Sequence, residues 1–129
     1  VDRAEAVGGL PPRPCPTPTL RLFGAPTAPT GDVYGCERAA IERLPGAGRR
    51  LHPAFTLSEA EVRHAARAEQ ARSVADVLAR RHRALFIDAA AAQQAAPAVA
   101  AVMASELGWD APRTHEMTEA FHRLAEGFR

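Results

Sequence analysis

The amino-acid sequence predicts an all-α protein, a small helical bundle of about five helices with an extended Pro-rich N-terminal segment. Three observations carry this prediction. After residue 30, apolar residues recur at the spacings of one helix face, and these stretches begin and end with residues typical of helix termini. No alternating pattern of apolar and polar residues, which would indicate strands, lies between them. The connections are short, which favours antiparallel packing of neighbouring helices.

The first 30 residues are predicted to lie outside the bundle. Seven prolines follow a short stretch of Ala, Glu and Val in this part of the chain: Pro11, Pro12, Pro14, Pro16, Pro18, Pro26 and Pro29. Proline has no amide donor and disfavours helix in the residue before it, so we expect an extended interdomain linker. We therefore divide the chain into residues 1–30, which contain the linker, and residues 31–129, which form the helical domain.

Three helices are predicted in the first half of this domain, over residues 32–44, 58–71 and 73–83. In the first helix, Ile41 and Leu44 lie at i, i+3 spacing, and Pro45-Gly46 ends it. The second helix begins at Ser58, whose hydroxyl caps the free amides while Glu61 reaches back to the start of the helix.

The third helix begins at a weaker capping pair, Ser73 with Asp76. After it, Asp88 is the predicted N-cap of an alanine-rich helix. A proline inside a helix costs about 3 kcal/mol, so we expect this helix to break near Ala96, just before Pro97.

The C-terminal third of the chain shows two helical faces. The first comprises four residues at spacings of 3, 4 and 8: Val99, Val102, Met103 and Leu107. Gly108 fits the left-handed stop of that helix. The last helix, from about Thr114, carries an apolar stripe beside the small Ala125: Met117, Phe121, Leu124 and Phe128. This stripe either completes the core or contacts another subunit.

Composition indicates one soluble globular domain. Of 129 residues, 47% are hydrophobic and 24% are charged, and the net charge is +1. This charge gives no strong overall field, so it does not by itself imply nucleic acid or an anionic membrane as partner. No apolar run reaches the roughly 18 residues of a membrane-spanning helix. Two cysteines, Cys15 and Cys36, are too few for a disulfide framework, which favours a reducing, cytoplasmic compartment.

A dense series of charges covers the second and third predicted helices: Glu61, Arg63, Arg67, Glu69, Arg72, Asp76, Arg80, Arg81, His82 and Arg83. One interpretation is a solvated surface with weak i, i+4 pairs. A second is an ion network between helices, built on Glu69, Asp76, Arg80 and Arg81, in which arginines hold carboxylates. A third is a phosphate or nucleic-acid site at Arg80–Arg83, which the neighbouring carboxylates disfavour.

The residues themselves predict no catalytic, cofactor-binding or metal site. The five histidines form no H-x-x-x-H pair on one helix. Neither cysteine has an evident base beside it. Gly46-Ala47-Gly48 does not follow a predicted strand and lacks the third glycine of a dinucleotide fingerprint. The sequence therefore contains no recognisable catalytic apparatus.

One motif connects the chain to a known family. The segment Glu69–Phe86, E-Q-A-R-S-V-A-D-V-L-A-R-R-H-R-A-L-F, resembles the pattern E-x-A-x-[ST]-V-x-D-[VA]-L-x-R-R-x-[RK]. That pattern is typical of the C-terminal domain of FAD-dependent glycerol-3-phosphate dehydrogenases and glycerophosphate oxidases. The resemblance continues in four further segments: Cys15-Pro16-Thr17, residues 20–25, Leu51-His52-Pro53 with Glu61-Val62, and residues 103–110.

The resemblance implies an enzyme that oxidises sn-glycerol 3-phosphate to dihydroxyacetone phosphate on FAD and passes the electrons to quinone, or to oxygen in the oxidases. Residues 1–9 then look like the last helix of the flavin domain. The family's flavin and substrate residues lie upstream, so no catalytic residue carries over and the fragment alone is expected to be inactive. The first residue is Val1 rather than Met, which we take as a sign of an excised piece.

The expected partner of this domain is the flavin and substrate domain of the same polypeptide. Quinone is expected as a partner of the whole enzyme. The resemblance also implies a cytoplasmic enzyme peripheral on the membrane, and it allows a homo-oligomer. Within a domain that caps the flavin domain, an ion network of Glu69, Asp76, Arg80 and Arg81 is the economical interpretation of the charges. The alternative is a free-standing helical module that presents Arg80–Arg83 to nucleic acid.

Overall fold

The computed structural model describes residues 2–11, 13–20, 24–25 and 33–128. The described residues form helices and turns without a regular strand, which confirms the predicted all-α class. Contacts divide the chain into two compact units, residues 1–36 and 37–129. The predicted boundary after residue 30 falls outside the described residues and stays a prediction. None of the helices described has both the length and the apolar character needed to cross a bilayer.

The N-terminal unit begins with a short helix, α1 (Asp2–Val7). Gly9 follows it with a φ of 62°, and the amide of Leu10 donates to the carbonyl of Glu5 at 2.9 Å. The described residues from 13 to 20 are exposed and form a turn but no helix or strand. The interdomain linker expected there stays a prediction.

The helical unit is built around one long helix. From Gly35 onward the elements are a 3₁₀ turn (Gly35–Glu37), α2 (Arg38–Ile41), α3 (Glu59–Arg67), a π-helix (Asp76–Arg81), α4 (Ala84–Ile87), α5 (Ala89–Leu107) and α6 (Ala111–Glu126). Helix α5 contacts α3, α4, α6 and the π-helix. The largest side chains buried around it are Phe121, Leu78, Leu85, Met103, Val62, Val74, Val77 and Val99. Burial of such side chains stabilises the unit by about 1.5–3 kcal/mol each.

The first predicted helix is shorter than residues 32–44. Its described part is the 3₁₀ turn followed by α2, which ends at Ile41, whereas Asp32 lies outside the described residues. Beyond Ile41 the amides of Arg43 and Leu44 bond to carbonyls three residues back instead of four. The chain therefore tightens and leaves the α-helix before it reaches Pro45.

The start of α3 is the one predicted from Ser58. The Ser58 hydroxyl accepts from the Glu61 amide at 3.2 Å, and the Glu61 carboxylate accepts from the Ser58 amide at 2.7 Å. The predicted end near Ala71 is wrong, because α3 ends at Arg67. Gln70 adopts a φ of 59°, a left-handed conformation that cannot continue the helix.

The third predicted helix has the expected cap but a different helical form. Ser73 and Asp76 bond reciprocally, with the Asp76 amide 3.2 Å from the Ser73 hydroxyl and the Ser73 amide 2.9 Å from the Asp76 carboxylate. From Asp76 to Arg81 the chain is a π-helix, which the sequence pattern does not reveal. The expected continuation to Arg83 is wrong, since Arg83 has a φ of 60° and turns the chain into α4.

Helix α5 begins and ends at the predicted residues but has no break. The Asp88 carboxylate accepts from the amide of Ala91 at 2.9 Å, and Gly108 ends the helix with a φ of 68°. Contrary to the expected break near Ala96, the helix continues through Pro97. The neighbouring α6 supplies a hydrogen-bond donor at this point, as described below.

Helix α6 begins three residues earlier than the predicted Thr114, because Asp110 caps it by accepting from the amide of Arg113 at 2.8 Å. Within the apolar stripe, Phe121 is buried and Met117 packs partly against the core. Leu124 and Phe128 remain exposed. Only part of the stripe thus completes the core.

Gly46 marks a tight approach between the loop after α2 and the first residue of α3. It has a φ of 82°, and a Cβ atom built on it would lie 2.6 Å from the Cβ of Glu59. Glu59 cannot move away freely, since its carboxylate pairs with Arg49 at 2.7 Å and with Arg63 at 2.6 Å. Glycine is therefore required at the first position of Gly46-Ala47-Gly48, because this turn has a left-handed backbone and no room for a Cβ atom.

We expect Gly46→Ala to lower the free energy of unfolding by about 2 kcal/mol, through the left-handed backbone and the clash with Glu59. Chemical denaturation of the helical chain measures this loss. Gly48→Ala is the matched control, because nothing lies within 4 Å of its added Cβ and its φ is not positive. Equal losses in the two variants would contradict this explanation.

Candidate functional site

The arginine-rich segment brings together the four predicted network residues in two pairs. Arg81 pairs with Glu69, with 3.2 Å between Nε and the carboxylate, and so connects the π-helix to the chain that leaves α3. Arg80 pairs with Asp76 one turn away on the same helical element. The first pair connects the π-helix to the segment after α3 rather than to α3 itself, and the second is local, so the network between helices stays a prediction.

Arg81 also bonds to the protein backbone. Its terminal nitrogens donate to the carbonyls of Glu69 and Asp76, the latter at 3.1 Å. Arg72 acts similarly at the end of α3, where one of its nitrogens lies 2.8 Å from the carbonyl of Ala66. Carbonyls in the last turn of a helix lack internal donors, so Arg72 satisfies such an acceptor at the end of α3, while Arg81 connects the carbonyl of Glu69 to the start of the π-helix. Both arginines therefore stabilise the backbone of this region.

Asp76 is the centre of the local network. Its carboxylate accepts from the amides of Arg72 and Ser73 at 3.0 and 2.9 Å and pairs with Arg80. Partial burial acts to raise its pKa, but the hydrogen bonds from Arg72, Ser73 and Arg80 outweigh burial and hold the pKa below its usual value. Asp76 is thus ionised at neutral pH and fixes the start of the π-helix.

The remaining residues of Arg80–Arg83 do not form one cationic face. His82 packs edge-on against Phe55 with 5.8 Å between ring centroids, and its Nδ1 is buried without a hydrogen-bond partner. Burial lowers the pKa of His82, although the charge of Glu61 acts in the opposite direction, so the ring is neutral at pH 7. Because Arg81 is used internally as well, the geometry gives no support to a nucleic-acid site here.

A second ion cluster, which sequence reasoning missed, joins α3 to the end of α5. Glu106 on α5 accepts from Arg67 at 2.5 Å and also bonds to Arg63. Arg63 in turn pairs with Glu59 at 2.6 Å. Arg63 and Arg67 lie four residues apart on one face of α3, and this spacing is the signal that could have indicated a shared carboxylate. The sequence does not indicate that this carboxylate is Glu106 on α5, because Glu106 lies 39 residues beyond Arg67.

The charge state of Glu106 follows from this geometry. Hydrogen bonding from Arg67 lowers its pKa, burial opposes that effect, and Arg63 lowers the pKa further. The pKa of Arg63 is raised, first by its bond to Glu59 and then by its bond to Glu106. Glu106, Arg63 and Arg67 are therefore charged at neutral pH, and each of these charges has a partner.

Two open grooves run along α5 and α6. One, of about 480 Å³, is lined by Ala90, Gln93, Gln94, Glu119, His122 and Glu126. The other, of about 660 Å³, lies over Pro97, Ala101, Ala104 and residues of α6. Over the described ranges, no group of three or more His, Cys, Asp or Glu side chains is arranged to hold a metal ion. The two threonine hydroxyls that line the second groove, those of Thr114 and Thr118, donate to backbone carbonyls four residues back.

The two ion pairs predict that replacing Arg81 destabilises the protein more than replacing the adjacent Arg80. We expect Arg81→Ala to lower the free energy of unfolding by about 1–2 kcal/mol, because two backbone carbonyls and Glu69 lose their donor. Arg80→Ala should cost less than about 0.5 kcal/mol, since its side chain is 68% exposed against 26% for Arg81. Urea denaturation of both variants measures the contrast. A loss for Arg81→Ala no larger than for Arg80→Ala would contradict the structural role.

Comparison with known proteins points to one family. A family model described as the C-terminal domain of alpha-glycerophosphate oxidase matches residues 30–114. The chain is 44% identical over 78 residues to a probable mitochondrial glycerol-3-phosphate dehydrogenase of Caenorhabditis elegans, covering 60% of this chain and 11% of that protein. It is 36% identical over 91 residues to the mitochondrial glycerol-3-phosphate dehydrogenase SDP6 of Arabidopsis thaliana, and the match covers 70% of this chain and 14% of that protein.

The human protein named glycerol-3-phosphate dehydrogenase, mitochondrial, is 36% identical over 83 residues, which cover 64% of this chain and 11% of that protein. The matches thus span between 11% and 14% of the length of these three relatives. No solved structure matches the chain significantly.

Proposed function

The chain belongs to the family described as the C-terminal domain of alpha-glycerophosphate oxidase, and we propose that it is the accessory domain of an FAD-dependent glycerol-3-phosphate dehydrogenase. The match over residues 30–114 carries this proposal, because it includes most of the helical unit. The relatives named above are glycerol-3-phosphate dehydrogenases, which supports an oxidoreductase as the whole protein.

In the proposed whole enzyme, sn-glycerol 3-phosphate is oxidised to dihydroxyacetone phosphate, and FAD passes the electrons to quinone. The described residues do not fit FAD. The groove of about 480 Å³ presents Glu119 and Glu126, which would repel a pyrophosphate. Gly46 lies in a turn against Glu59 and does not open a helix after a strand. We therefore propose that FAD and the catalytic residues belong to another domain and that this chain alone is inactive.

The partner in this proposal is the flavin and substrate domain of the same polypeptide. The internal use of Arg72 and Arg81 supports a structural role, because donors that satisfy the fold's own carbonyls are not available to bind substrate phosphate. We further propose that the whole enzyme is cytoplasmic, lies peripherally on the membrane and can form a homo-oligomer.

The proposal is tested with two proteins, the 129-residue chain and the polypeptide encoded by the complete reading frame. We expect only the second to show flavin absorbance and to reduce a soluble quinone analogue with sn-glycerol 3-phosphate. A G-x-G-x-x-G unit should be encoded upstream of Val1. Flavin binding or turnover by the 129-residue chain would overturn the accessory role, and a reading frame without that unit would overturn the enzyme assignment.

A further inference from the structure

The proline inside α5 faces a donor from another helix. In an α-helix, the amide of residue 97 would donate to the carbonyl of Gln93, but Pro97 has no amide hydrogen. His122 on α6 lies with its Nε2 3.2 Å from that carbonyl. Because a carbonyl only accepts, Nε2 must carry the proton in this contact. A side chain 29 residues away thus donates where the proline cannot.

The contact is reciprocal. The side-chain amide of Gln93 lies 3.4 Å from the carbonyl of His122, so each residue bonds to the backbone of the other's helix. Glu119, one turn earlier on α6, lies with a carboxylate oxygen 3.4 Å from the Nδ1 of His122. Buried Phe121 and Ala125 fix the backbone of α6 on both sides of this histidine.

We propose that His122 is the surrogate donor for Pro97, because it donates to the carbonyl of Gln93 in place of the amide that proline lacks. We call the His122–Gln93 pair the latch, since it couples the backbone of α5 at its proline to the packing of α6. The pair also forms part of the lining of the groove of about 480 Å³. The inference is independent of the enzymatic role proposed above.

A double-mutant cycle in the 129-residue chain tests the latch. We expect His122→Ala to raise the equilibrium constant for unfolding about fivefold to tenfold, the loss of one partly buried hydrogen bond. Pro97→Ala restores an amide donor for Gln93. In that background the effect of His122→Ala should fall to about twofold or less, because the amide of residue 97 then donates to the same carbonyl as His122.

His115→Ala is the control for removing a histidine from α6, since His115 is exposed, and it should leave the unfolding constant within about twofold. If His122→Ala fails to fold by itself, the double variant with Pro97→Ala and His122→Ala serves in its place, because the restored amide of residue 97 should replace the lost donor. Failure of the double variant to fold, while Pro97→Ala alone folds, overturns the proposal. Equal effects of His122→Ala in both backgrounds overturn it as well.

Discussion

Replacing Phe121 with alanine is expected to lower the free energy of unfolding of the helical chain by about 3–5 kcal/mol. The ring of Phe121 is 1% exposed and lies within the cluster that packs around α5. Alanine would remove most of this buried surface and leave a cavity that the surrounding helices fill only in part. Since whole domains are stable by about 5–15 kcal/mol, this variant should be close to unfolding at 25 °C.

Leu124→Ala on the same helix is the matched control. Its side chain is 42% exposed, so we expect a loss below about 1 kcal/mol. Guanidinium denaturation followed by far-ultraviolet circular dichroism measures both variants. Comparable losses would show that α6 packs in a different rotation, with the predicted stripe of Met117, Phe121, Leu124 and Phe128 facing the core throughout.

The sequence predicted those features that depend on residues close together in the chain. The capping pairs Ser58 with Glu61 and Ser73 with Asp76 span three residues, and Asp88 caps α5 in the same way. Gly108 ends α5 because its own backbone adopts the left-handed conformation. Such signals require no knowledge of the tertiary structure, and for this reason the starts of α3 and α5, the cap before the π-helix and the end of α5 were foreseeable.

The features that were missed depend on distant partners. The general cost of an interior proline predicts a break at Pro97, but His122 supplies a donor from 29 residues away and α5 continues. Likewise, periodicity defines an apolar stripe on α6 but not its rotation, which the packing on α5 decides. The family motif contains both Arg81 and Glu69, whereas Glu106 lies in another segment of the resemblance, which does not indicate its partners on α3.

Glu106→Gln should lower the free energy of unfolding by about 3 kcal/mol at pH 7, the low end of the cost of breaking a buried ion pair. The side chain of Glu106 is 8% exposed, and the variant leaves Arg63 and Arg67 without its charge while it keeps the same shape. Arg63 retains Glu59, and half of Arg67 is exposed to water, which limits the loss. Glu116→Gln is the control. The side chain of Glu116 is 58% exposed, so its ion pair with Arg113 should contribute less than about 0.5 kcal/mol to the free energy of unfolding.

The pH dependence separates the charge of Glu106 from its packing. Its pKa in the folded state lies below the ordinary value of 4.5, first because of Arg67. A lowered folded pKa stabilises the fold fully above the unfolded pKa, and this stability is lost as the pH falls through the folded pKa. The difference in unfolding free energy between the wild-type chain and Glu106→Gln should therefore be largest at pH 7 and shrink as the pH is lowered from about 4.5. A difference that stays constant from pH 7 to about pH 3 would mean that shape and hydrogen-bond geometry, rather than charge, connect α3 to α5 at this residue.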